Sequence, residues 1–172
     1  MSEREPRDVK NLDIYGNAPL AWSRARGALE AARSAHHTFF LGTVGSDGRP
    51  HSAGVGAIWY DGDLYVVSGP RTRKSRNLTR RPSCTLSVAL PGIDLVFDGT
   101  ATRVTDTSTL ERIAAQYRAG GWPAQVQADT FTAPYSAPSA GRPPWFLYRV
   151  DVHRVIGLAT AEPYGATRWR FA

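Results

Sequence analysis

The stretch TFFLGTVGSDGRPHSAGVGAIWYDGDLYVV, residues 38–67, decides the fold class. Three runs rich in Val, Ile, Thr and aromatic residues, at 38–44, 51–60 and 64–67, are separated only by turn chemistry. Ser46-Asp47-Gly48-Arg49-Pro50 joins the first two, and Asp61-Gly62, a dipeptide suited to a type I′ turn, joins the second to the third. Connections this short make neighbouring strands antiparallel. Further runs of the same composition at 84–90, 95–104 and 146–158 bring the expected number to six. Six antiparallel strands with few helices predict a mainly β chain curled into a small closed or nearly closed barrel. A barrel of that size is filled by its own side chains, so a cofactor has to sit at the rim or between two barrels. That geometry is the reason to expect a homodimer.

The remaining segments set the domain plan. A length of 172 residues with 42% hydrophobic content fits one globular domain. Residues 1–18 are polar and punctuated by Pro6, Gly16 and Pro19, and read as a flexible arm ahead of a single domain at 19–172. Leu20, Trp22, Ala25, Leu29 and Ala32 fall near helical spacing and predict a helix over 19–35. A second helix is expected over 106–119, capped by Asp106 or Thr107, with an apolar face of Leu110, Ile113, Ala114 and Tyr117 and a stop at Gly120-Gly121. Residues 121–144, rich in Pro, Ala, Gly, Ser and Thr, read as a long loop, a lid or a partner arm. Within it Trp122 and Tyr135 stand out as walls for a substrate pocket, since core aromatics usually ride on regular elements.

Charge points to an anionic partner. There are 21 Lys and Arg against 15 Asp and Glu, a formal charge of +6, and the only lysines are Lys10 and Lys74. The cations gather where residues 63–81, DLYVVSGPRTRKSRNLTRR, run from a strand through Gly69-Pro70 into a short helix expected at about 72–80. Thr72 or Ser75 can cap that helix, and its free amides then face the strand end with Arg73 and Lys74 beside them. An Arg fork, a Lys point charge and a helix N-terminus suit a phosphate ester; the same run also reads as a solvated helix face. Ala53, Gly54 and Gly56 offer either close approach to a flat ring or a strand bulge.

Three motifs carry a family resemblance: Gly42-Thr43-Val44-Gly45-Ser46-Asp47-Gly48-Arg49-Pro50-His51, then Trp59-Tyr60-Asp61-Gly62-Asp63-Leu64-Tyr65-Val66, then Arg73-Lys74-Ser75-Arg76-Asn77-Leu78 with Arg81-Pro82. In this order the chain resembles the pyridoxamine 5′-phosphate oxidase-like FMN-binding split barrels, of Greek-key type, over roughly residues 35–105. The Arg-rich composition, the Lys74-Ser75-Arg76-Asn77-Leu78 motif and the tail Glu162-Pro163-Tyr164-Gly165-Ala166-Thr167-Arg168-Trp169-Arg170-Phe171 are together most similar to the actinobacterial oxidoreductases that use a flavin or the deazaflavin coenzyme F420. The resemblance implies a homodimer with F420, or alternatively FMN, at the subunit interface. It places Arg73 and Lys74 on the cofactor phosphate, Val67, Ser68 and Gly69 near its polar chain or ring edge, and Ser52, Ala53, Gly54 and Val55 along its ring. F420 carries tail carboxylates beyond its phosphate, and Arg71, Arg76 and Arg80 would meet them. The resemblance does not extend to a pyridoxal-phosphate-binding set at the C-terminus.

Other chemistries find little footing. His36, His37, His51 and His153 sit in no metal-ligand pattern, so no metal is expected. Gly54-Val55-Gly56 lacks the third glycine of a dinucleotide fingerprint, and no Ser lies in a nucleophile-elbow motif. No catalytic side chain is assigned, as expected where a cofactor carries the reaction to a small, planar conjugated substrate. Cys84 is the single cysteine, and with no leader and no apolar run of about 18 residues the expectation is a cytoplasmic protein without a membrane partner. Two rivals remain: a non-catalytic cofactor-binding protein, and a nucleic-acid-binding barrel using Arg71, Arg73, Arg76, Arg80 and Arg81. Concentration of the cations at one junction, rather than along several strands, argues against nucleic acid.

Overall fold

Strand β2 (Phe39–Val44) turns through Gly48, at φ 78°, into β3 (Pro50–Val55), and the two pair antiparallel from Phe39↔Val55 to Val44↔Pro50. The computed structural model describes residues 4–32, 37–135 and 140–171. Gly56 then bends the chain, and β4 (Ala57–Tyr60) continues to a hairpin at Asp61 (φ 52°) and Gly62 (φ 86°), the left-handed pair a type I′ turn demands. After β5 (Asp63–Ser68), helix α2 (Arg73–Arg80) leads to β6 (Ser83–Leu90) and β7 (Ile93–Val104), and β10 (Phe146–Ala159) lies beside β7 over most of its length.

The ring closes because β3 and β4 are two pieces of one bent strand. β3 pairs with β2 and β4 with β5, while β5 pairs with β10, β10 with β7, β7 with β6 and β6 with β2. The barrel is therefore mainly β, antiparallel and split, as expected from sequence. The run 51–60, expected as one strand, is two, because Gly56 lets it turn from one neighbour to the other. The split falls on β10, where Phe146–Val150 pair with β5 and Arg154–Leu158 pair instead with β11 (Ala166–Arg170). At the changeover the register with β7 slips between Val152 and Arg154. Gly99 faces that slip, and a Cβ there would lie 2.5 Å from Asp151 O.

Alternation along the strands builds two cores. Inward residues such as Leu41, Leu64, Leu86, Leu95, Phe97 and Val155 fill the barrel. Helix α1 (Trp22–Ala31), shorter than the expected 19–35, adds Trp22, whose ring packs edge-on to Phe171 at 4.8 Å and Trp169 at 5.4 Å. Residues 33–35 of that expected helix, and His36, lie outside the described residues. Outward residues Tyr65, Val67, Val104 and Leu147 form a second core under α3 (Thr107–Ala119), which is capped by the Asp106 carboxylate accepting from Thr109 N.

Two expectations about irregular segments change. Residues 8–11, within the arm expected to be loose, form β1 (Asp8–Asn11) on the edge of β11, and Arg4 donates to both Asp63 and Asp151 at 3.1 and 3.0 Å. Its four side chains are all exposed, so backbone pairing and charge, not an apolar face, hold it. Residues 121–144 contain a small hairpin of β8 (Gln125–Gln127) and β9 (Thr130–Thr132) that covers the second core with Phe131. Residues 136–139 of that segment lie outside the described residues, and no described helix is long and apolar enough to cross a membrane.

Candidate functional site

The β5–α2 junction is built from a relay of hydroxyls. Ser75 Oγ donates to Ser68 Oγ at 2.8 Å, Ser68 Oγ lies 2.8 Å from Thr72 Oγ1, and Thr72 Oγ1 donates to Gly69 O at 2.9 Å. A hydroxyl has one hydrogen, so the chain runs in one direction, with Ser68 donating to Thr72. Thr72 is also the N-cap of α2, accepting from Ser75 N at 3.3 Å. Gly69 has no alternative at its position: its N donates to Ala140 O at 2.8 Å, and a Cβ would lie 2.5 Å from that oxygen. Ser68 is fully buried, so its hydroxyl shapes the turn instead of facing outward. Ser68→Ala is expected to lower stability by about 1–3 kcal/mol, because Ser75 and Thr72 each lose a partner in a buried setting. Chemical denaturation of the two proteins side by side measures this.

Helix α2 presents one face to the barrel. Asn77 Nδ2 donates to Thr43 Oγ1 at 3.0 Å, which pins the helix to β2. Arg73 and Lys74 lie four and three residues earlier, on the same face one turn nearer the N-terminus. The Arg73 guanidinium reaches over the start of the β2–β3 turn, with Nη2 3.6 Å from the place a Gly45 Cβ would take. Lys74 is buried at 5% exposure, and burial holds its ammonium below the ordinary lysine range. His51 stands opposite Thr43 on β3, with Nδ1 buried and without a hydrogen-bond partner. Burial first, then Arg73 and Lys74, hold its imidazole below the usual histidine range.

The strip expected along a cofactor ring runs directly out of this cluster, since Ser52 follows His51. Among the described strands β3 pairs with β2 alone, so its other edge carries free backbone groups over Ser52, Ala53, Gly54 and Val55. Ser52 is exposed, Ala53 and Gly54 are half-buried, and Val55 turns its side chain into the barrel core. Val67 likewise packs into the second core, leaving only its backbone for any ligand. Arg71, exposed ahead of the helix, lines a cavity of about 390 Å³ at the same junction, together with Gly69, the N-cap Thr72, Gly141 and Arg142. His51, at the start of the second strand run, reads from sequence either as a residue that orients cofactor or substrate or as a surface histidine, whereas Arg142 carries no sequence signal, because its place depends on which loops the barrel brings together. The pocket-wall role expected for Trp122 is corrected: its ring packs on Tyr117 at 5.0 Å and Trp145 at 5.3 Å, sealing the second core. Tyr135 is exposed. Burial pushes the Cys84 thiol up to about 12, which leaves it an inert core residue.

A family model described as pyridoxamine 5′-phosphate oxidase matches residues 25–159, well beyond the 35–105 over which the motifs resemble that group. The chain belongs to this family. Among solved structures it is similar to an F420 reductase, 18% identical with a TM-score of 0.52 over 73% of this chain and 94% of the other. A pyridoxamine 5′-phosphate oxidase-related, FMN-binding protein from Nostoc punctiforme is 20% identical, with a TM-score of 0.59 over 87% and 90% of the two chains. A heme-binding protein from Mycobacterium smegmatis is 19% identical, with a TM-score of 0.57 over 81% of this chain and 57% of its own. At these identities the likeness shows the barrel fold alone. A search of curated proteins found no match.

Proposed function

We propose that this family member is an oxidoreductase that uses F420, with FMN as the alternative, to exchange hydride with a small, planar conjugated substrate. The observation that carries the reading is the junction itself, where a capped helix start, Arg73 and the buried Lys74 meet beside the free edge of β3. The residues present fit a phosphate-bearing ring cofactor. The donors are cationic, His51 Nδ1 is a buried polar atom without a partner, and no side chain of Gly54 or Gly56 covers the strip. Bound there, the cofactor would supply hydride transfer, and the protein would supply position and electrostatics. Arg73 and Lys74 would hold the phosphate, and the backbone of 52–55 would lie along the ring.

The barrel interior is packed, so the site opens outward and a second copy of the chain would complete it. Phe40, Val96 and Leu158 are exposed apolar residues of the barrel sheet, at 53%, 42% and 53%. Such a patch is the kind of surface a homodimer covers. F420 is preferred over FMN because Arg71, Arg76 and Arg80 supply cations beyond the phosphate pair, all of them exposed. Titration of the apoprotein with each cofactor at low and moderate salt tests the choice. Tighter and more salt-sensitive binding of F420 is expected. Tight FMN binding with no affinity for F420 selects the alternative. Binding of neither, with retention of oligonucleotides, overturns the proposal in favour of the nucleic-acid rival.

A further inference from the structure

We propose that the cavity between the β5–α2 turn and residues 140–144 is a carboxylate-binding site, in which Arg71 and Arg142 grip the oxygens of a small, flat organic acid. This site needs no phosphate at Arg73 and Lys74, and Arg142 has no part in the cofactor reading.

Two segments distant in sequence make the walls, and both are fastened. Gly69 N donates to Ala140 O at 2.8 Å, and Trp145 Nε1 donates to Gly141 O at 2.9 Å. Thr72, the N-cap of α2, sets its methyl 3.6 Å and 3.7 Å from where Cβ atoms on Gly69 and Gly141 would lie, which fills the space between the two segments. The cavity that is left, about 390 Å³, falls at the small end of ligand pockets and suits a compact molecule.

The lining dictates the ligand's chemistry. Pro70, Pro143 and Pro144 offer ring faces and no N–H, so the side-chain cations Arg71 and Arg142, both exposed, are the strong donors of the walls. No carboxylate lines the cavity, and neither segment has one to give, because residues 64–93 and 130–150 contain no Asp or Glu. Among the described residues neither guanidinium has a hydrogen-bond or ion-pair partner, whereas Arg103, Arg118, Arg154 and Arg168 are each paired. Two guanidinium groups lining one cavity of this size repel each other, and a carboxylate between them turns that repulsion into two attractions. The planar guanidinium fork matches the two oxygens of a carboxylate, and the proline rings suit the face of a flat apolar body. A neutral apolar molecule leaves the forks unanswered, and a bare inorganic anion leaves the prolines uncovered. An aromatic or conjugated acid answers both.

4-Fluorobenzoate is the probe, with 4-fluorobenzamide as its neutral counterpart, both read by ¹⁹F NMR on the full chain. The acid is expected to bind in the millimolar range of a small fragment, and the amide roughly tenfold more weakly. Arg71→Gln and Arg142→Gln should each weaken the acid roughly threefold to tenfold, the loss of a charged hydrogen bond discounted for exposure. Neither should move the melting temperature, since neither guanidinium contacts the protein. Arg81→Gln removes the same charge beyond the other end of α2 and should change affinity by less than about twofold. The carboxylate has two sources, which displacement separates. If F420 releases the bound fluorobenzoate and FMN does not, the cofactor tail supplies the carboxylate. If fluorobenzoate stays bound in the presence of F420, a separate acid supplies it, and the substrate class narrows to carboxylates. Release by FMN, which has a phosphate and no carboxylate, overturns the proposal. Absence of fluorobenzoate binding, equal binding of acid and amide, or wild-type affinity in both Arg71→Gln and Arg142→Gln overturns it as well, and none of these three results touches the phosphate reading of Arg73 and Lys74.

Discussion

Lys74→Ala is expected to weaken cofactor binding by about tenfold to a hundredfold, the loss of one charged hydrogen bond worth about 1.5–3 kcal/mol. Arg73→Ala should do the same, and the pair together more than either. Lys74 has a second signature that a surface cation lacks. Burial depresses its pKa in the folded chain, so between the folded and unfolded values the unfolded chain binds more protons. Stability therefore rises with pH through that alkaline window, and at neutral pH the charged lysine costs stability in the absence of an anion. Lys74→Met, which keeps the apolar stem, should leave thermal stability unchanged or raised while still losing affinity. Arg73, exposed on the same helix face, should show the affinity loss with no gain in stability. Equal affinity of wild type and both Lys74 variants for FMN and F420 would remove the junction from the binding site.

The barrel could be read from the chain because its six ring strands combine local signals that agree. Val, Ile and aromatic runs are separated by turn residues that need a left-handed backbone, and Asp61 and Gly62 adopt one. What escaped was held by contacts between distant residues. β1 has a lone apolar residue, Val9, half exposed among charges, and only its pairing with β11 makes it a strand. β8 and β9 are three residues each, too short for a period to show. β11 did carry a signal, since Thr167 and Trp169 are buried between the outward Arg168 and Arg170, but two arginines masked it. The site divides the same way. Thr72, Arg73 and Lys74 follow from capping and charge within eight residues of chain. The family resemblance sets Ser68 and Val67 near a cofactor; their side chains turn into the protein, Ser68 to the hydroxyl relay and Val67 to the second core, which leaves their backbone for any such contact.

Trp145→Ala is expected to remove about 3–5 kcal/mol of stability, the range for deleting a fully buried aromatic side chain. Trp145 is at 0% exposure and ties Trp122, Phe131 and Gly141 to the barrel in three ways. Its ring packs against Trp122 at 5.3 Å, its Nε1 donates to Gly141 O at 2.9 Å, and its backbone exchanges two 2.8 Å hydrogen bonds with Phe131. The two backbone bonds survive the substitution, so the loss falls on the ring and its donor. In a chain of 172 residues this should lower the melting temperature by roughly 10 °C. The consequence reaches the β5–α2 turn, because Gly69 N bonds Ala140 O on the stretch that Trp145 anchors. Trp145→Ala should therefore also weaken anion binding, by less than Lys74→Ala does, whereas Trp145→Phe, which keeps most of the packing and loses only the Gly141 bond, should recover most of the stability. If thermal melts show Trp145→Ala within a degree or two of wild type, the contacts of Trp145 with Trp122, Phe131 and Gly141 do not hold the turn in place.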